Sequence, residues 1–156
     1  MAEAETVGRV DFDWQKSSLF RFCEASDWVV FSKSVLFSEK PSGSVIWSEG
    51  ERSAQLICVV SGSLEAVKKT PDWGKPIIMA RYLAGASVGE LVFDDAEEHS
   101  TSLQVVEKAS LLLLDQDRAE SLQRDSPVTA ARIIRGAAYL QLERLRRADQ
   151  RLATLF

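Results

Sequence analysis

Apolar and polar positions change their period along this chain, and each change marks a different kind of element. From Asp13 to Ser32, the residues Trp14, Leu19, Phe20, Phe22, Cys23, Trp28, Val29 and Phe31 recur at spacings of three and four, which predicts one or two short helices. Large rings dominate burial, so these aromatics are read as core capping one end of a β structure. From Val35 the period falls to two. Val35 and Phe37, then Val45 and Trp47, alternate with polar partners, and Pro41-Ser42-Gly43 punctuates between them. Ala54 to Val60 reads as an apolar strand, Gly62 as a turn, and Leu64 to Lys68 as the returning strand of a hairpin. Thr70 to Pro76 is a turn-rich loop in which Trp73 is expected to pack, followed by a strand from Ile77 to Leu83. Leu103 to Val106 and Leu111 to Leu114 read as two more strands, joined through Glu107-Lys108-Ala109.

Helical spacing then returns. Asp117 to Arg124 fits one short helix, and Ser126-Pro127 offers an N-cap with proline at the first helical position. The last helix is expected to run to about Leu155, spanning about 40 Å. It carries two apolar stripes. Ile133, Ala137 and Leu140 form one, which is expected to pack on the β structure. Ala138, Leu142, Leu145 and Leu152 form the other, interrupted by Asp149, and predict a seam with the same helix of a second subunit.

About eight short strands at regular spacing, flanked by helices, give a mainly β chain with a definite expectation: an eight-stranded jelly-roll barrel, or double-stranded β-helix, with N-terminal helices and a long C-terminal helix. The expected division is a flexible N-terminus over 1–10, the barrel with its helices over 11–126, and the dimerisation helix over 127–156. At 156 residues and 46% hydrophobic, one domain with one core suffices.

Composition removes several function classes. The net charge of -4 disfavours nonspecific nucleic-acid binding, and the arginines at 132, 135, 144, 146, 147 and 151 are diluted by Glu120, Glu143 and Asp149 into a solvated helix face. No apolar run approaches the ~20 residues that cross a bilayer, and the acidic start Met1-Ala2-Glu3 does not resemble a secretory signal, so a cytoplasmic, non-membrane protein is expected. Cys23 and Cys58 lack metal spacing and read as free buried thiols. A single histidine, His99, cannot build a multi-histidine metal site, and Ser17, Ser18 and Ser61 have no adjacent base. Neither a metal, a cofactor nor an enzymatic activity is expected.

The stretch from Gly85 to Ser102 carries the remaining chemistry. In Gly89-Glu90-Leu91 a glycine permits a tight turn that gathers amide N–H groups, beside one carboxylate able to accept from a sugar hydroxyl. Gly43 to Glu51 and Val60 to Val67 precede it with glycines at strand corners. This ordered set of motifs, from about Leu19 to Leu152, resembles the cyclic-nucleotide-binding domain of the cAMP receptor family. The resemblance implies a phosphate-binding cassette in which Gly89, Glu90 and Leu91 form the turn, the glutamate holds the ribose, and a downstream arginine grips the cyclic phosphate. That arginine position falls on His99, followed by Ser100. The implied ligand is cAMP or cGMP.

The departure at His99 weakens the phosphate site. Imidazole presents one N–H toward a given side and titrates near 6.5, whereas arginine is a permanently charged fork. Losing such a contact costs about 1.5–3 kcal/mol. Asp94, Asp95, Glu97 and Glu98 would repel a phosphate, or raise the pKa of His99 and charge it. The function expected is a dimeric cyclic-nucleotide-binding-like regulatory domain signalling through its C-terminal helix to a partner protein. A structural or interaction module with binding lost is the alternative. Because the chain ends after the dimer helix, no DNA-binding domain is expected.

Overall fold

The computed structural model describes residues 10–72, 74–94 and 96–156. The flexible N-terminus expected over 1–10 lies outside these residues except for Val10, and the packing expected of Trp73 lies outside them altogether. Two single 3-10 turns, Trp14–Lys16 and Ser18–Phe20, lead into helix α1, Ala25–Ser34. The strands β1 (Leu36–Lys40), β2 (Val45–Trp47), β3 (Arg52–Ser53), β4 (Gln55–Lys68), β5 (Ile77–Tyr82), β6 (Ser87–Val88), β7 (Glu97–Glu98) and β8 (Ser102–Asp115) follow. Helices α2 (Gln116–Asp125) and α3 (Pro127–Ala153) complete the chain.

β4 and β8 form the spine, running antiparallel from Gln55 opposite Asp115 to Val67 opposite Ser102. β1 and β2 pair with β8, β5 and β6 pair with β4, and β3 and β7 form a separate two-stranded sheet. The mainly β architecture with flanking helices is as expected, but the closed eight-stranded barrel is not found. The strand order β1-β8-β4-β5 leaves β1 and β5 as edges that do not meet, and β3, β6 and β7 are pairings of two residues each.

The sequence reading also broke both spine strands where they are continuous. Gly62 is not a hairpin turn. It sits inside β4 with φ +81°, where the register against β8 shifts. A Cβ at Gly62 would fall 2.2 Å from the Lys108 carbonyl oxygen, so the polar segment Glu107-Lys108 is strand backbone crowding this bulge. The two long strands bend together there.

Side chains on the two faces of the spine build two core clusters. Trp47, Ile57, Leu64, Leu103 and Leu111 pack within the sheet, whereas Leu19, Phe20, Phe31, Leu112, Leu114 and Ile133 join the helices to it. Burial of each such side chain stabilises the fold by about 1.5–3 kcal/mol.

α3 is fixed to this core by its first half. Pro127 opens it after Ser126, as the sequence predicts, although the Ser126 side chain makes no capping bond. Ala130, Ile133, Gly136 and Ala137 are buried, and a Cβ at Gly136 would fall 1.8 Å from the Leu19 carbonyl oxygen. Asp27 ties α1 to α3: its carboxylate accepts from Thr129 Oγ1 at 2.7 Å, Arg132 Nη1 at 2.8 Å and the Glu24 N–H at 2.8 Å. Burial pushes the Asp27 carboxyl up, but these donors together hold it below its ordinary value. The second stripe stays outside, with Leu142 43%, Leu145 59% and Leu152 56% exposed.

Candidate functional site

The Gly89 turn is a close-packing device before it is anything else. Gly89 has φ +83°, and a Cβ there would lie 1.9 Å from the Gln55 carbonyl oxygen. No side chain fits between this turn and the start of β4. The glycine thereby sets a 3-10 turn, Glu90–Phe93, against the sheet, with the backbone of Leu91 in that turn and Val92 buried beneath it.

Glu90 is 7% exposed and does not face bulk water. One carboxylate oxygen accepts from Arg144 Nη1 at 2.8 Å, the other from Gln141 Nε2 at 2.8 Å. The Arg144 guanidinium also donates through Nη2 to the Ser87 carbonyl and lies 5.4 Å from the centre of the Tyr82 ring. A buried carboxylate on the cassette turn is thus bonded twice to the long helix. Satisfying it in this way offsets the cost of removing its charge from water.

His99 sits across a cavity of about 430 Å³ that Glu90, Gln141, Arg144 and Ser100 also line. Its ring stacks on Trp47 with centroids 4.1 Å apart and planes 9° from parallel, and Nε2 is in hydrogen-bond contact with Ser53 Oγ at 2.8 Å. Burial lowers its pKa below 6.5, outweighing the upward pull of Glu51 and of the Ser53 backbone. Burial against Trp47 thus favours the uncharged imidazole, against the pull of the nearby acids. Glu97 and Glu98 are exposed on β7 and line the same cavity. Asp95 lies outside the described residues. Ser100 is exposed, and its carbonyl accepts from Lys68 Nζ at 2.7 Å.

The cavity therefore brings together Gly89, Glu90, His99 and Ser100, but among the described residues its only lining arginine or lysine is Arg144. Sequence reading placed Arg144 on a solvated face and did not single out Gln141, Trp47 or Ser53. One signal was present. Ile133, Ala137, Leu140 and Arg144 continue a four-three-four spacing, so the arginine takes the next position on the packing stripe and must meet something buried.

Burial pushes Cys23 up to about 11 and Cys58 well above the ordinary thiol value, and neither is in a disulfide. Among the described residues no group of His, Cys, Asp and Glu could hold a metal ion, and no helix is long and apolar enough to cross a membrane.

A buried glutamate on a glycine turn is thus bonded to a long C-terminal helix at the wall of a half-open cavity. The chain belongs to the Cyclic nucleotide-binding domain family, which matches residues 38–126. It is 24% identical over 140 residues to a CRP-like cAMP-activated global transcriptional regulator of Mycobacterium tuberculosis, a match covering 90% of this chain and 60% of that protein. The chain thus spans about three fifths of that relative's length. Among solved structures it is similar to the Thermus thermophilus Catabolite Activator Protein, with 27% identity and a TM-score of 0.75 over 89% of this chain and 63% of that one. A cyclic nucleotide-binding domain from Methylobacillus flagellatus KT shares the fold, with a TM-score of 0.81, 16% identity and coverage of 98% and 85%.

Proposed function

We propose that this chain is a dimeric regulatory module in which a cyclic nucleotide, cAMP or cGMP, enters the cavity beside Gly89 and competes with α3 for Glu90. The observation that carries this reading is the pair of 2.8 Å bonds from Gln141 and Arg144 to the Glu90 carboxylate. A ribose hydroxyl donating to Glu90 must share or displace one of them. Ligand occupancy and helix position then become one equilibrium, because a ligand shifts a two-state element only by its differential affinity for the two states. The outward stripe Ala138, Leu142, Leu145 and Leu152 gives that helix a second subunit to move against, and an attached or separate partner protein reads the movement. On this reading Gly89, Glu90, Leu91, His99 and Ser100 surround the ligand, and Arg144 is the cation left to meet its phosphate. Residues 11–126 form the binding unit and 127–156 the pairing helix.

A second reading is supported by the same bonds. Each Glu90 oxygen already accepts one hydrogen bond, and burial disfavours a charged His99 ring, so the domain would be a paired scaffold without ligand. Calorimetric titration with cAMP and cGMP at pH 7.5 distinguishes the two. Saturable heat, weakened about tenfold or more in Glu90→Gln and strengthened about tenfold or more in His99→Arg, supports the sensor. An arginine at 99 keeps a planar group to stack on Trp47 while restoring the charge. Absence of heat and of any thermal shift at millimolar ligand would leave the scaffold.

A further inference from the structure

Arg144 and Tyr82 are a shared wall, because both also line a second cavity of about 460 Å³. This cavity is bounded by β5, the Gly85–Ser87 segment, Lys16 to Ser18 and the distal half of α3. Among the described residues its lining is basic: Lys16, Arg81, Arg144, Arg147 and Arg151 stand with a single carboxylate, Glu143. Three of those cations are engaged, Lys16 with Asp13, Arg81 with Glu65 and Arg144 with Glu90. The guanidinium groups of Arg147 and Arg151, one turn apart on α3, have no ion pair or hydrogen bond with a described residue.

A second observation, independent of the arginines, points at the same place. Ser87 is 2% exposed, lines this cavity, and its hydroxyl has no hydrogen-bond partner among the described residues. A buried hydroxyl left unpaired costs about 1–3 kcal/mol, and native proteins carry few of them. An acceptor brought into the cavity would satisfy it. Phosphate oxygens suit both features, because guanidinium forks bind them bidentately and a hydroxyl donates to them. The volume exceeds that of a bare phosphate, and Met79, Leu140 and Ala148 supply an apolar wall for an organic body.

We propose that this cavity is a second ligand site, distinct from the one beside Glu90, which takes a small phosphate-bearing organic anion on Arg147, Arg151 and Ser87. The proposal does not require a ligand in the first cavity, although Arg144 and Tyr82 border both. It also lies away from the pairing stripe: Arg147 follows Leu145 by two residues, about 200° around the helix, so a dimer through Leu142 and Leu145 leaves it open.

Pyrophosphate serves as the probe, titrated calorimetrically into the full chain at fixed ionic strength. The expected result is saturable binding of one pyrophosphate per chain, at least tenfold weaker in Arg147→Ala with Arg151→Ala, weaker in Ser87→Ala, and unchanged in Glu97→Gln with Glu98→Gln. Both arginines are exposed, so the double variant keeps its circular dichroism and unfolding midpoint. Absence of saturable binding up to about 10 mM, a Kd that only the acidic-strand variant changes, or equal binding by wild type and the arginine variant would each overturn the proposal. Retention of pyrophosphate binding in a protein that gives no heat with cAMP or cGMP supports it while removing the sensor reading alone.

Discussion

Arg144 reaches from the middle of α3 to the 4% exposed carboxylate of Glu90, closing an ion pair of 2.8 Å between the cassette turn and the last helix. The two partners are unequally buried, the arginine side chain being 29% exposed. Removing them one at a time therefore has unequal effects. Arg144→Ala strands a buried carboxylate and is expected to lower stability by about 3–5 kcal/mol. Glu90→Gln keeps a hydrogen-bonding group and leaves a guanidinium that can reach water, and is expected to cost about 1–3 kcal/mol. Urea unfolding of both variants checks the order; equal losses would show that the pair is not buried as described.

Two glycines of the cassette stretch have left-handed backbones but different surroundings. Gly85, φ +90°, has nothing within 4 Å of a Cβ, so Gly85→Ala carries only backbone strain of about 1–2 kcal/mol. Gly89→Ala adds a collision with the Gln55 carbonyl at 1.9 Å that only backbone movement relieves. It is expected to lower the thermal midpoint well beyond Gly85→Ala, or to leave the protein unfolded.

His99 makes stability pH-dependent in a defined direction. Burial depresses its folded-state pKa below the unfolded value of 6.5, so the unfolded chain binds the proton first. Stability contributed by the neutral ring is complete above about pH 6.5, declines as pH falls below it, and levels off below the folded-state pKa. Denaturant midpoints from pH 8 to 5 should show this decline, and His99→Gln should flatten it. A midpoint that rises on acidification would mean that the ring is charged in the folded protein.

The exposed stripe of α3 gives a direct test of pairing. Leu142→Glu with Leu145→Glu places charges at positions 43% and 59% exposed, where the single chain tolerates them and a helix seam does not. Light scattering is expected to show a dimer for the parent chain and a monomer for the variant. A dimer that survives places the interface elsewhere.

What the sequence made legible is what has a local signal. The Pro127 helix start follows from local chemistry, the division of α3 into a buried Ile133 stripe and an exposed Leu142 stripe follows from period, and Glu90 follows from its glycine turn. Long-range geometry was less legible. Gly62 looks like a turn in sequence because a bulge and a turn ask for the same positive φ, and only the crowding by Lys108 separates them. Closure of a barrel depends on whether β1 and β5 meet, which no spacing encodes. His99 lines the same cavity as Glu90, yet burial against Trp47 pulls its pKa down where the nearby acids suggest the opposite pull.

On the sensor reading proposed above, the close approach of Gly136 to the Leu19 backbone would make α3 a lever with its fulcrum there. Arg144 lies eight residues beyond that point, about 12 Å along the axis, and Ala153 lies about 25 Å beyond it. A displacement of Arg144 by one ångström, pivoting at Gly136, sweeps the tip through about two. On that reading, loosening the grip on Glu90 would be magnified toward Ala153, and replacing Gly136 with a bulkier residue would shift the pivot itself.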